Sequence, residues 1–291
     1  MRLGVTVPAD GSLPDGGALI DVGSAAEVAG ADGLWVTDHA LAAVQGTRGR
    51  ADAVVAHSGP VYDALTCCAF LAAATLVCRV GTACLVLPQH EAVPLARAAA
   101  SLDRMSAGRL VLGVGPGWDR QEMEALGYDY PTREARLDGM LQVLRDLWTG
   151  RPAPDRVEHV RVAAGLVLDP VPVAAPAGPP LVLVGRGEDV LRRAARLADG
   201  WLSVAHVAAR EGTALAADIS RVRALHRDSG RSGAFEVVVK LQHARGEEVQ
   251  LVDAALRAQA AGADEVIVDM PWDRLDTSIT RLQAISSAIH D

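Results

Sequence analysis

Short apolar strand signals alternate with helical signals along the whole chain, and no other feature restricts its fold so strongly. Leu3–Val7, Gly33–Thr37, Arg79–Val86, Leu110–Val114, Leu181–Val184, Gly200–Val204, Phe235–Leu241 and Glu265–Asp269 read as strands. The spacing predicts helices over Ala18–Ala29, from Tyr62, and over Pro94–Met105, Arg133–Trp148, Asp189–Leu197, Thr213–His226, Val249–Ala260 and Leu275–Ile289. Parallel strands need crossovers of this kind. Eight of each predicts an α/β fold, a single (β/α)8 TIM barrel over residues 1–291, in preference to an open doubly wound sheet. Residues 151–179 break the rhythm with Pro152, Pro154, Pro170, Pro172, Pro176 and Pro179. They read as a Pro-rich insertion of short extended pieces after the fourth βα unit. A long small-residue loop, Ala40–Pro60, precedes the second helix.

Composition narrows the function. Only 3% of residues are aromatic against 50% hydrophobic, so Ala, Val and Leu must fill the core. The net charge of −8, with acids and arginines interspersed, argues against a nucleic-acid partner. The longest uncharged apolar stretch, Ala64–Cys78, is too short to span a bilayer. A strand begins directly at the N-terminus, so a cytoplasmic location is expected. Cys67, Cys68, Cys78 and Cys84 form no C-x-x-C pair and are expected to be free thiols, with no metal site.

In a barrel of this kind, chemistry belongs at the C-terminal ends of the strands. Four unusual clusters fall there. Asp38-His39 follows the second strand, and a histidine beside a carboxylate is a candidate acid–base group, with Asp38 placed to set its tautomer or to bind a cofactor ring. Gly81–Leu85 lies in the third strand. After the fourth strand, Gly113, Gly115 and Gly117 alternate, with Pro116 between them and Trp118 following, and glycines there let a flat or anionic ligand approach the backbone. After the fifth strand, Gly185-Arg186-Gly187 opens a helix whose amides could hold a phosphate. Arg192 and Arg193 follow, either as helpers or as a solvated face. A Schiff-base aldolase barrel would have to use Lys240, the only lysine.

The run Leu102–Trp118, LDRMSAGRLVLGVGPGW, resembles the S-x-G-R signature of the luciferase-like flavin oxidoreductases, the superfamily of bacterial luciferase and the coenzyme F420-dependent reductases and dehydrogenases. The resemblance covers Leu3–Trp201. It implies hydride transfer between the C5 of deazaflavin F420 and a small organic substrate, with His39 handling the proton. The Asp-His pair, the short length and the composition of a GC-rich genome favour F420. The alternatives are an FMN-dependent monooxygenase fed by a partner flavin reductase, and a non-catalytic flavin-binding member. The resemblance further implies a ring beside Asp38, a non-proline cis peptide at Ala83-Cys84 behind it, the glycine turn through Trp118 beneath it, and a phosphate at Gly185–Gly187. It also implies a homodimer through the helices beside the second and third strands, with Phe70 or Leu71 in the interface. Two departures stand out. His90-Glu91 replaces a frequent His-Pro, and Trp118 stands where some sugar-phosphate dehydrogenases of the family carry a catalytic Glu. Ala198-Asp199-Gly200-Trp201 resembles a family motif expected to be structural, and Trp148 and Trp272 are expected to be packing or rim residues and not cofactor contacts.

Overall fold

The computed structural model describes residues 1–9, 15–41, 62–151, 156–157, 159–162, 165, 167–174, 177–207, 212–242 and 250–290. Strands β1 (Arg2–Thr6), β2 (Gly33–Val36), β3 (Arg79–Val86) and β4 (Leu110–Gly115) are followed by two short strands, β5 (Arg156–Val157) and β6 (Val160–Arg161). Then come β7 (Leu181–Val184), β8 (Gly200–His206), β9 (Glu236–Gln242) and β10 (Glu265–Asp269). Eight of these close a parallel barrel in the order β1-β10-β9-β8-β7-β4-β3-β2, while β5 and β6 pair antiparallel outside it. The expected strands all form, with ends shifted by a residue or two. Most of the expected Ala40–Pro60 loop lies outside the described residues.

The helices are α1 (Gly16–Val28), α2 (Ala64–Ala74), α3 (Ala92–Met105), α4 (Arg120–Ala125), α5 (Arg133–Trp148), α6 (Glu188–Leu197), α7 (Gly212–Asp228), α8 (Leu251–Ala261) and α9 (Leu275–His290). The short α4 has no counterpart in the sequence expectation, because six residues are too few to show a helical period. Asp119 starts it, accepting hydrogen bonds from the backbone of Gln121 (2.9 Å) and Glu122 (3.2 Å).

Inward-facing Trp35, Ala83, Val111, Val182, Leu202, Val238 and Ile267 fill the barrel, and the larger apolar layer lies between strands and helices. The N-terminal pole is closed by an ionic plug. The fully buried Glu265 accepts from Trp35 Nε1 (2.6 Å) and pairs with Arg79 (2.7 Å) and Arg2, which also hold Glu236. The plug explains Gly4 and Gly33, where a Cβ would come within 2.6 and 2.7 Å of the Trp35 and Glu265 side chains.

One device recurs at this pole. The runs Ala31-Asp32-Gly33, Ala198-Asp199-Gly200 and Ala263-Asp264-Glu265 lead into β2, β8 and β10. Each Asp carboxylate accepts the backbone N–H of Leu3, Leu181 or Val237 on the neighbouring strand, at 2.7, 2.8 and 2.7 Å. Each Asp N–H in turn donates to the carbonyl of the same partner residue. Strand entry and register are set together, and Ala198–Trp201 is structural as expected, with Trp201 buried and donating to Gly185 O. Trp148 and Trp272 are also buried and donate to Ala96 O and Thr6 O. The Ser-x-Gly-Arg of the signature likewise serves this pole, since the Arg109 guanidinium binds Ser106 O, Thr75 Oγ1, Cys78 O and Ala72 O.

A candidate active site at the C-terminal mouth of the barrel

At the opposite pole, β3 carries a register shift between Ala83 and Leu85, and the Ala83-Cys84 peptide is cis. The bulge turns a flat stretch of backbone and the Cys84 thiol toward the barrel axis. Burial pushes that thiol up to about 12, helped by Asp38 and opposed by Lys240, so it stays protonated and serves as lining.

The three alternating glycines have different reasons. At Gly113 a Cβ would lie 2.1 Å from Thr82 O, so the bulged β3 leaves room only for hydrogen. Gly117 has φ +77° and faces Val86. Gly115 is the one that continues the flat wall, because its Cβ would meet the Cys84 thiol at 3.1 Å. Pro116 and Gly117 are half-buried beyond it, and Trp118 is exposed at the rim, edge-on to the His39 ring at 6.4 Å.

Asp38 and His39 are adjacent in sequence but do not pair. Asp38 is buried, and its Oδ2 accepts from Val86 N–H (3.1 Å) and faces His90 Nε2 (3.2 Å). His39 turns the other way, with Nδ1 3.7 Å from Glu122 Oε2. The expectation that Asp38 sets the His39 tautomer is therefore corrected: successive residues past a strand end point to different sides, and Glu122 takes that place. Glu122 is buried and also accepts from the backbone of Ala40 (2.8 Å) and Leu41 (2.9 Å) and from Gln89 Nε2 (3.2 Å). Burial alone would raise its carboxyl. The contact with His39, the Leu41 N–H and Gln89 outweigh burial and hold it at about 2, so it is ionised.

Sequence reasoning missed Glu122 and the role of His90. A signal for Glu122 existed in Asp119-Arg120-Gln121-Glu122, which has capping-box spacing, although here Glu122 reaches across to the loop after β2 instead of back to its own cap.

The fifth-strand turn differs more from expectation. Gly185 and Gly187 have φ +149° and +92°, and Gly187 caps α6. The first turn of that helix carries Glu188 and Asp189, a poor place for an anion. Arg192 pairs with Glu188, and Arg193 with Glu134 and Asp138 on α5, so both are committed to helix contacts. Exposed Arg186 instead opens on a cleft between β8, α7 and α8 that also holds Ser203, His206, Asp218 and Arg257.

The sequence that folds into this barrel matches the luciferase-like monooxygenase family over residues 1–287. The chain belongs to that family. An uncharacterized protein of Mycobacterium tuberculosis is 28% identical to this family member over 212 residues, covering 72% of this chain and 70% of the relative. An F420-dependent glucose-6-phosphate dehydrogenase of Nakamurella multipartita is 31% identical over 191 residues, 64% of this chain and 51% of the relative. Among solved structures, an F420-dependent secondary alcohol dehydrogenase in complex with an F420-acetone adduct superposes with a TM-score of 0.80 at 16% identity, covering 100% of this chain and 99% of that one. At that identity the likeness is one of fold.

Proposed function

We propose that the chain is a coenzyme F420-dependent oxidoreductase acting on a small organic substrate. The observation that carries this reading is the flat wall of Ala83, Cys84 and Gly115 standing beside two separate histidine–carboxylate pairs. When bound, the deazaflavin supplies a ring carbon that exchanges hydride with substrate. The wall suits such a ring, because nothing larger than a methyl or thiol projects from it. Asp38, held by Val86 N–H and His90, is positioned to bind the ring edge. The cofactor phosphate is better served by Arg186 and its cleft than by the amides of α6, given Glu188 and Asp189 in the first turn.

Glu122 stands behind His39 at Nδ1, and the His39 imidazole takes or returns the substrate hydroxyl proton while hydride leaves or joins the adjacent carbon. The ionised Glu122 favours the protonated imidazole as that proton arrives, the orienting role of a carboxylate behind a histidine.

Titration of F420 and FMN side by side, read by fluorescence, tests the cofactor. Dissociation constants on the order of micromolar or tighter for F420 and at least ten-fold weaker for FMN are expected. Preference for FMN would move the chain to the monooxygenase reading, with a flavin reductase as partner. Tight F420 binding without turnover on any alcohol or carbonyl tried would favour a non-catalytic member.

A further inference from the structure

The chain has one lysine, and the fold puts it inside the barrel. Lys240 lies on β9 with its register partners Val204 on β8 and Ile267 on β10. Ile267 and Val238 belong to the inward-facing layer, so Lys240 faces the axis one layer nearer the mouth. It is 7% exposed, and no hydrogen bond or ion pair to it exists among the described residues. An ammonium this far inside keeps little of its hydration, and the Cys84 thiol, the group it acts on electrostatically across the barrel, is no counter-charge. The carboxylates of the same pole do not serve. Asp38 is engaged with His90 and Val86, and Asp269, at the end of β10, forms no ion pair with Lys240. Thr6 Oγ1, on β1 beyond β10, is a buried polar atom with no hydrogen-bond partner among the described residues.

Position in the ring assigns this pair. In the closed order, β9 stands four strands from β3 in a ring of eight, diametrically across from the Ala83-Cys84 wall. Lys240 therefore faces the Ala83-Cys84 wall across the barrel axis. We propose that the substrate carries an oxyanion, a carboxylate or phosphate, that pairs with Lys240 Nζ while Thr6 Oγ1 donates to the same group. This rests on the oxidoreductase reading and adds a substrate class to it. An anion could also come from the ring itself, and the test separates the two.

Because lysine occurs once, protein grown with [13Cε]lysine gives a single lysine resonance. It is followed in the cofactor-free protein and in the F420-saturated protein during additions of sodium phosphate or sodium succinate, against sodium chloride at equal ionic strength. A saturable shift with phosphate or succinate in both forms is expected. Calorimetry should show the same anion at least ten-fold weaker in Lys240→Met and largely retained in Lys240→Arg. No shift with either anion overturns the proposal, and the wild-type spectrum shows this whether or not Lys240→Met folds. A shift on adding F420 that leaves no further response to anions also overturns it, by making the cofactor the counter-ion. F420 affinity is read separately by fluorescence. An anion shift in a protein that binds no F420 would sink the oxidoreductase reading and the substrate assignment with it, while a missing shift in a protein that binds F420 would sink the Lys240 assignment alone.

Discussion

At the scale of single residues, the site is organised by two carboxylates that do different work. Asp38 ties the end of β2 to β3 and to His90, and Glu122 ties the loop after β2 to α4 and stands behind His39. If His39 moves the proton, His39→Gln should leave F420 affinity within about two-fold and lower turnover by ~10²–10⁴, the usual worth of general acid–base catalysis. The pH–rate profile should lose the limb reporting the imidazole. Affinity and rate falling together, with an unchanged profile, would show instead a residue that only binds the ring. Glu122 makes a prediction of its own about acid. Its carboxyl is held at about 2 against an ordinary 4.5, so its contribution is fully present above the ordinary value and is lost as pH falls from there through about 2. That shift corresponds to roughly 3 kcal/mol at neutral pH. Glu122→Gln should destabilise the protein at pH 7 by an amount of that order and flatten the acid limb between those values. Denaturant melts at a series of pH values measure it, and parallel curves for the two proteins would mean that Glu122 carries no such linkage.

Among the elements, the three Asp-led strand entries show how a short motif can fix register. The carboxylate and the N–H of Asp264 bond one residue, Val237, on the neighbouring strand, and Asp32 and Asp199 do the same with Leu3 and Leu181. Removing the carboxylate leaves a backbone donor unsatisfied where a charge-assisted bond had been. Asp264→Ala should therefore cost on the order of 1.5–3 kcal/mol, and Asp264→Asn less, since its amide oxygen can still accept. Urea unfolding with an unchanged m-value measures the loss. Asp264 also pairs with Arg223, but that contact is half-exposed and adds little. A midpoint unmoved by Asp264→Ala would show that the ladder alone sets the register of β9 and β10.

Over the whole molecule, one surface remains to be explained. Of the two side chains expected at a dimer interface, Leu71 is fully buried between α2 and α1, where its Cδ2 lies 2.9 Å from where a Gly23 Cβ would stand. Phe70 is 42% exposed, and with the exposed Tyr62 it borders a groove lined by Pro8, Leu19, Thr66 and Cys67. A homodimer is expected with Phe70 in its interface. Sedimentation at micromolar concentration should show a dimer, and Phe70→Asp should shift it to monomer without changing the melting of the barrel by more than about 1 kcal/mol. A wild-type monomer would remove the interface.

What the chain determines by itself is periodic or local. Alternating strand and helix signals were enough for the eight-stranded barrel, because each element announces its own period. Gly115 stood out within the glycine run, whereas Ala83-Cys84 reads as ordinary strand and its cis bond was expected only from the family resemblance. Of the Asp-led entries only Ala198-Asp199-Gly200-Trp201 stood out in the sequence, and the hydrogen bonds show that Asp32 and Asp264 do the same as Asp199. The pairings of the site were decided in three dimensions. Asp38 finds His90 fifty-two residues away, and His39 finds Glu122 on a helix too short to show a period. Lys240 reads in sequence as one lysine in a strand. Only closure of the ring turns it inward, with β9 facing β3, and a chain has no local signal for what stands on the far side of a barrel.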